Sequence, residues 1–394
     1  MSSRLVMGED LPFPIEEYES RQRAFTSAME AAGLDAVLLY QQESLYYLYG
    51  YDQIGYWVYQ AFVASPNRQP IAIGRRADAD MMEALPWVDD VRVWMDDSEV
   101  DPGQLTAQIL SDLGLLRRGA RIGVERKAHS LLPYYYDLVR DRLAGIVELV
   151  DASDLVADLR IVKSPREQES MRQAASIMDA AFEAGLGAVR DGNRESDVHE
   201  AIVSTMYRLG GEHPAVAPPI GSGPRTLTQT HGAATRRRIR TGDAITIEIG
   251  AAFDRYHAVG LRSGFVGTPP ASVERLHDSL VAALEAGLAG IRPGMPSAEL
   301  AAITLDELGR HGFDRRGRHV GYGIGIGYPP TWLDSLRIKE TDSHVLEPGT
   351  TFFLFLGAFS EDRQTYLGVG DPVLVTPDGG TVLSTVDRRL QIVM

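Results

Sequence analysis

The order of helical and strand-like segments predicts a two-domain chain of mixed α/β (α+β) class. Three observations carry this. The 394 residues exceed what one ordinary hydrophobic core organises. Helices and short apolar strands alternate through about the first 160 residues. After a Ser-Pro break the order becomes two helices followed by β segments, twice over, which hints at an internal duplication.

In the first domain, residues 1–162, a helical pattern runs from Ile15 to Ala32 and stops at Gly33, a residue suited to the left-handed turn past a helix end. Ala36–Tyr40 is an apolar run that reads as a buried strand. An aromatic-rich stretch follows, with Tyr46, Tyr47, Tyr49, Tyr51, Tyr56, Trp57 and Tyr59. Strands are predicted at Pro70–Ile73, Val91–Trp94 and Arg121–Val124, and helices over Gly103–Leu115 and Ser130–Ala144. The boundary falls at Ile161–Pro165. Ser164 before Pro165 disfavours helix at that point, while Pro165 and Glu167 suit the first turn of a new one. In the second domain, residues 163–394, helices are predicted to about Val189, over Glu195–Leu209, Ser272–Leu288 and Ser297–Arg310, with Gly- and Pro-punctuated β segments after each pair.

Composition narrows the function. A net charge of −15 repels phosphate backbones and anionic membranes, so no nucleic acid partner is expected. The run Arg236-Arg237-Arg238 with Arg240 lacks interleaved aromatics and reads as a solvated hairpin face. Cysteine is absent, which removes thiolate metal sites and cysteine nucleophiles. The first ten residues hold no apolar leader segment, and no apolar run approaches the roughly 20 residues of a membrane span. A cytoplasmic protein with a small-molecule substrate and no membrane partner is the expectation. Gly323, Gly325 and Gly327 lack the strand-turn-helix context of a nucleotide site, and Pro329-Pro330 ends the series.

Six strings then occur in order over the second domain. They are Lys163-Ser164 with Glu167 and Met171, Gly242-Asp243 leading into Ala244–Gly250, Tyr256-His257-Ala258 with Arg262–Phe265, Val320–Gly325, Leu346–Phe352 and Asp371–Thr376. Together they resemble the creatinase/aminopeptidase P superfamily, whose catalytic domain has the pita-bread fold. The resemblance implies a creatinase-like N-terminal α/β domain followed by a C-terminal pita-bread domain. Peptidases of that family hold two divalent metals on two Asp, one His and two Glu. Here the matching positions are Glu248, then Val259 eleven residues on, Tyr322, Phe355 and Gly370. Valine, phenylalanine and glycine side chains offer a cation nothing, so neither a dinuclear metal centre nor any other cofactor is expected.

Among metal-free branches the chain is most similar to the ectoine hydrolases, with creatinase as a cousin. The similarity rests on Leu11–Tyr18, Gly50-Tyr51-Asp52 with Tyr56-Trp57-Val58, Glu248-Ile249, Arg255-Tyr256-His257 and above all Gly321–Trp332. It implies metal-free attack of water on a planar, cationic C–N carbon. One departure is that Gly368 and Gly370 stand where an ectoine hydrolase carries a carboxylate.

Such a carbon calls for a carboxylate to pair its charge, a proton carrier near it and aromatic walls. Glu248 interrupts an apolar strand, where it either faces solvent on an edge or serves the site. His231 lies in a Gly- and Pro-bounded loop, and the resemblance makes it the proton carrier; otherwise it is a surface histidine. These two are the catalytic candidates. Tyr322, Tyr328, Trp332 and Phe355 are candidates for substrate-binding walls, with His213 and His257 of second rank. Tyr51, Tyr56 and Trp57 are expected to close the site of a partner subunit in a homodimer, an arrangement the resemblance supplies. The expected activity is a metal-independent hydrolase of a small cyclic amidine, guanidino or related amino-acid-derived compound. The alternatives are a non-catalytic binding module of the same fold and a lyase acting on a small zwitterion.

Overall fold

A computed structural model describes residues 11–95, 101–228, 231–314 and 318–394. Residues 1–10, read above for the absence of a leader, and Gln229 and Thr230 of the His231 loop lie outside the described residues. The chain divides into two compact units after Arg160.

The first unit contains, in order, α1 (Ile15–Ala31), β1 (Ala36–Leu39), α2 (Gln42–Tyr49), β2 (Ala61–Ala64), β3 (Ile71–Arg75), α3 (Arg76–Glu83), β4 (Asp90–Trp94), α4 (Pro102–Asp112), β5 (Arg121–Val124), α5 (Pro133–Leu143), β6 (Glu148–Asp151) and α6 (Leu155–Leu159). Its sheet has the order β4-β3-β2-β1-β5-β6. β2 runs antiparallel to both neighbours and the other pairings are parallel. The predicted elements are present; α2, β2, α3, β6 and α6 are additions. Every residue of α2 is buried, so it has no polar face to announce a helical period. Glu125 anchors the start of α2: one carboxylate oxygen accepts from the N–H groups of Tyr40 and Gln41 at 2.7 and 2.8 Å, and the other from Ser44 Oγ.

This unit corrects one expectation. Tyr51 is fully buried, its ring 5.3 Å from that of Phe62 and its hydroxyl donating to Gln60 Oε1. It belongs to its own domain's core and presents nothing to a ligand. Trp57 is 66% exposed and Tyr56 half-buried.

The second unit contains α7 (Pro165–Ala188), α8 (Glu195–Arg208), β7 (Ile220–Ser222), β8 (Ala244–Phe253), β9 (Tyr256–Val266), α9 (Ala271–Gly290), β10 (Met295–Pro296), α10 (Ser297–Arg310), β11 (His319–Tyr328), β12 (Thr331–Lys339), β13 (Val345–Leu346), β14 (Thr351–Phe359), β15 (Tyr366–Thr376), β16 (Gly379–Val382) and β17 (Gln391–Val393). The Ser-Pro signal is a full capping box. Ser164 Oγ accepts from Glu167 N–H, and the Glu167 carboxylate accepts from Ser164 N–H.

The main sheet has the order β12-β11-β14-β15-β9-β8-β7. β8 and β9 form a long hairpin turning at Asp254-Arg255, both with positive φ, as the favoured two-residue turn requires. Each helix pair covers its own part of the sheet. Residues of α7 and α8 pack with Ile245, Ile247 and Ile249 of β8, whereas α9 and α10 pack with β11, β12, β14 and β15. The hint of duplication thus corresponds to two helix pairs with separate cores. Among the described residues, no helix is long and apolar enough to cross a membrane.

Candidate active site

Strand period two sets the site. With Ile245, Ile247 and Ile249 turned to the helices, Thr246 and Glu248 must face the other way. There they line a cavity of about 600 Å³. β8 lies between β7 and β9, so Glu248 is not an edge residue facing open solvent.

Protein surrounds the Glu248 carboxyl on every side except the cavity, and this burial raises its pKa from 4.5 to about 7. One hydrogen bond opposes the shift, donated by Tyr322 Oη to Glu248 Oε1 at 3.4 Å. The direction of that bond is set one residue further back. Trp332 Nε1–H, which can only donate, gives its proton to Tyr322 Oη at 3.0 Å, leaving the phenolic proton for Glu248. Burial and the neighbouring carboxylate hold Tyr322 well above its ordinary pKa, so it stays a donor. The chain Trp332–Tyr322–Glu248 is therefore directional, and the aromatic walls expected from Tyr322 and Trp332 also act through hydrogen bonds.

His231 lines the same cavity from the loop between β7 and β8. The loop is clasped at both ends by Glu195, the first residue of α8, whose side chain is fully buried. Ser222 N–H and Oγ donate to Glu195 from one end of the loop. Arg225 Nε adds a contact at 3.1 Å, and Thr235 N–H and Oγ donate from the other end. The basic run is absorbed locally: Arg237 pairs with Asp243 at 2.7 Å and Arg238 donates to Gly192 O.

Four of the five positions implied as metal ligands, Glu248, Tyr322, Phe355 and Gly370, converge. Glu248 stands opposite Leu261 in the β8–β9 register, Leu261 opposite Gly370, and Gly370 opposite Phe355. The chemistry there is aromatic. Phe353 and Phe355 stack at 5.0 Å, and Tyr322 meets both edge-on. A Cβ built on Gly370 would meet Phe355 Cβ at 2.5 Å and the Phe353 ring at 2.7 Å, so rings fill the space a carboxylate would need. Among the described residues no group of three or more His, Asp or Glu could hold a metal ion. The residues present do not fit a dinuclear centre.

Three candidates lie off the cavity. His257 is fully buried and both ring nitrogens are engaged: Nδ1–H donates to Arg255 O, and Nε2 accepts from Ala215 N–H. Burial lowers its pKa to about 4, so it is a neutral tether for the segment leading to Val216 and Pro219 of the cavity wall. Tyr328 is buried beneath the Arg255 guanidinium, 5.2 Å from its ring. His213 is exposed and contacts Tyr207 Oη. Two residues not anticipated from the sequence do line the cavity, His319 and Tyr366. His319 packs edge-on to Phe355 at 5.6 Å, and burial, with Arg337 and Lys339 nearby, lowers its pKa. Burial pushes Tyr366 up to about 12; the Glu248 charge adds to this and Arg318 opposes it.

Fold and site together define a mixed α/β protein with a creatinase/prolidase-type N-terminal domain and a pita-bread C-terminal domain. Residues 21–162 match the Creatinase/Prolidase N-terminal domain and residues 169–377 match metallopeptidase family M24. The chain belongs to family M24. It is 29% identical to the ectoine hydrolase of Halomonas elongata, over 96% of this chain and 98% of that one. It is 31% identical to an uncharacterized hydrolase/peptidase of Sinorhizobium fredii, over 97% and 99%. The crystal structure of the Thermococcus sibiricus prolidase superposes with a TM-score of 0.85 at 20% identity, covering 96% of this chain and 99% of that one. That structural likeness speaks for the fold alone.

Proposed function

We propose that the chain is a metal-independent hydrolase that opens a C–N bond of a small cyclic amidine, guanidino or related amino-acid-derived compound. The observation that carries this is Glu248. It is a carboxylate of pKa about 7 in a cavity it shares with His231, at a ligand position whose four companions are Val259, Tyr322, Phe355 and Gly370. Likeness to an ectoine hydrolase along nearly the whole chain supports the substrate class.

A cationic amidinium entering the cavity favours the ionised form of Glu248, which then pairs with it. Tyr322, donating to the carboxylate, holds it in place. Water adds its oxygen to the planar carbon while one of its protons passes to Glu248. The C–N bond breaks as His231 delivers a proton to the leaving nitrogen and takes one back from the new hydroxyl as it becomes a carbonyl. The Glu248 proton leaves with the freed amine. Trp332 and Phe355 wall the carbon against competing solvent.

The test is turnover of a panel containing ectoine, creatine and an Xaa-Pro dipeptide, with products followed by mass, before and after exhaustive chelation. Gain of water on an amidine or guanidino compound, unchanged by chelation, is expected, as is elemental analysis without stoichiometric metal. Cleavage of the dipeptide that is lost on chelation would replace this reading with a metallopeptidase, and neutral loss without added water would make the protein a lyase. The same reading includes a homodimer in which Trp57 and Tyr56 of one copy close the cavity of the other, supported by the exposure of Trp57. Full activity of a monomer at nanomolar concentration would remove that part.

A further inference from the structure

The main cavity presents one carboxylate and, among the described residues, no lysine or arginine. An amino-acid-derived substrate brings an anionic group that this wall leaves without a counter-charge. A second cavity of about 210 Å³ supplies one. It shares His319, Phe355 and Tyr366 with the first, so the two spaces adjoin at these side chains, and its wall adds Arg318.

Among the described residues the Arg318 guanidinium makes a single hydrogen bond, Nη1–H to Gly357 O at 2.8 Å, and no carboxylate pairs with it. Its remaining donors are available in a planar fork, the geometry that matches a carboxylate in two parallel bonds. The Tyr366 hydroxyl lies directly over Gly357, the residue that receives the Arg318 bond. Tyr366 also lies within the electrostatic reach of both Arg318 and Glu248. Phe355 and Leu356 supply an apolar wall, which strengthens a charge-assisted bond by keeping water away.

We propose that Arg318, assisted by Tyr366 and His319, forms a carboxylate-binding subsite beside the catalytic cavity, and that the substrate is a zwitterion held between Arg318 and Glu248. The cationic half rests on the function proposed above; the anionic half stands on Arg318 alone. A single guanidinium in a small space matches a monoanion.

The test separates the two halves. Propionate and its neutral isostere propionamide are titrated into the full chain, read by the imidazole resonances of His319. Saturable perturbation by propionate and none by propionamide is expected. Arg318→Gln weakens propionate at least about tenfold, the loss of one charge-assisted contact, while Arg318→Lys retains part of the binding. With ectoine as substrate, Arg318→Gln raises KM by a similar factor with little change in kcat, and ectoine carboxamide is indifferent to the substitution. Failure of propionate to bind the wild type, equal binding of propionamide, or equal binding to Arg318→Gln overturns the subsite. Propionate bound through Arg318 without amidine turnover leaves the subsite standing and removes the hydrolase reading. Amidine turnover with propionate indifferent to Arg318 does the reverse.

Discussion

Replacing Glu248 by glutamine is expected to cripple the enzyme and stabilise the protein, and the second effect depends on pH in a calculable way. Burial raises the folded-state pKa of Glu248 from 4.5 to about 7. The folded state therefore holds this proton more tightly than the unfolded chain does. The favourable contribution is fully present below about pH 4.5 and is lost as pH rises through about 7. Near pH 8.5 the wild type bears the whole cost of an ionised buried carboxylate. At 1.36 kcal/mol per unit this cost is on the order of 3 kcal/mol, an upper bound because the carboxyl reaches solvent through the cavity. Glutamine keeps the size and accepts the Tyr322 bond without the charge.

Urea denaturation of both proteins at about pH 4.5 and 8.5 measures the difference directly, and groups common to both, Glu125 included, cancel at each pH. Glu248→Gln should exceed the wild type by roughly 2–3 kcal/mol at the alkaline point and by less than about 0.5 kcal/mol at the acid one. Its turnover should fall about 10²–10⁴-fold. A variant no more stable than the wild type at alkaline pH, or equally stabilised at both, would refute the argument that burial sets this pKa.

Three further outcomes follow from other contacts. Tyr322→Phe removes the one hydrogen bond that holds the Glu248 pKa down and leaves Trp332 Nε1–H without its acceptor. The limb of the pH–rate profile governed by Glu248 should move to higher pH, and stability should fall by about 1–3 kcal/mol. Glu195→Ala unclasps the His231 loop and strands the buried donors of Ser222 and the half-buried ones of Thr235. A loss of about 3–5 kcal/mol in chemical denaturation is expected. Glu195→Gln should retain the fold with a lowered kcat; an unchanged kcat would separate the loop from the chemistry. Arg262 is almost wholly buried, paired with Asp371 at 2.6 Å and donating to Gly370 O at 2.7 Å. Arg262→Met should cost about 3–5 kcal/mol by leaving Asp371 half-paired, measured by the urea midpoint.

What could be read from the sequence was whatever periodicity encodes. Ile245, Ile247 and Ile249 alternating with Thr246 and Glu248 announce a strand with one apolar and one functional face, and the structure has it. The helix pairs of the second unit were legible for the same reason. His319 was hidden. Three residues before Tyr322, strict alternation would put it on the opposite face, yet register shifts along β11 bring both into the cavity. Tyr366 opens the last long strand with nothing local to mark it, and only the pairing of β14 with β15 delivers it. His257 shows the converse. It stood as a second-rank candidate for substrate contact, whereas burial and two backbone partners make it a strut. The buried helix α2 escaped because a segment hidden on every side has no amphipathic signature.

The glycine at position 370 makes the composition of this site historically directional. A single change to glutamate there would drive a side chain into Phe353 and Phe355, and even its first carbon has no room. Shrinking Phe355 first would open a void beside Tyr322 with nothing to fill it. Neither step alone improves anything, and the two effects are far from additive because they share one space. A library aimed at rebuilding a metal centre on this scaffold must therefore vary positions 353, 355 and 370 together. Single-site walks would report each of them as intolerant and miss the path.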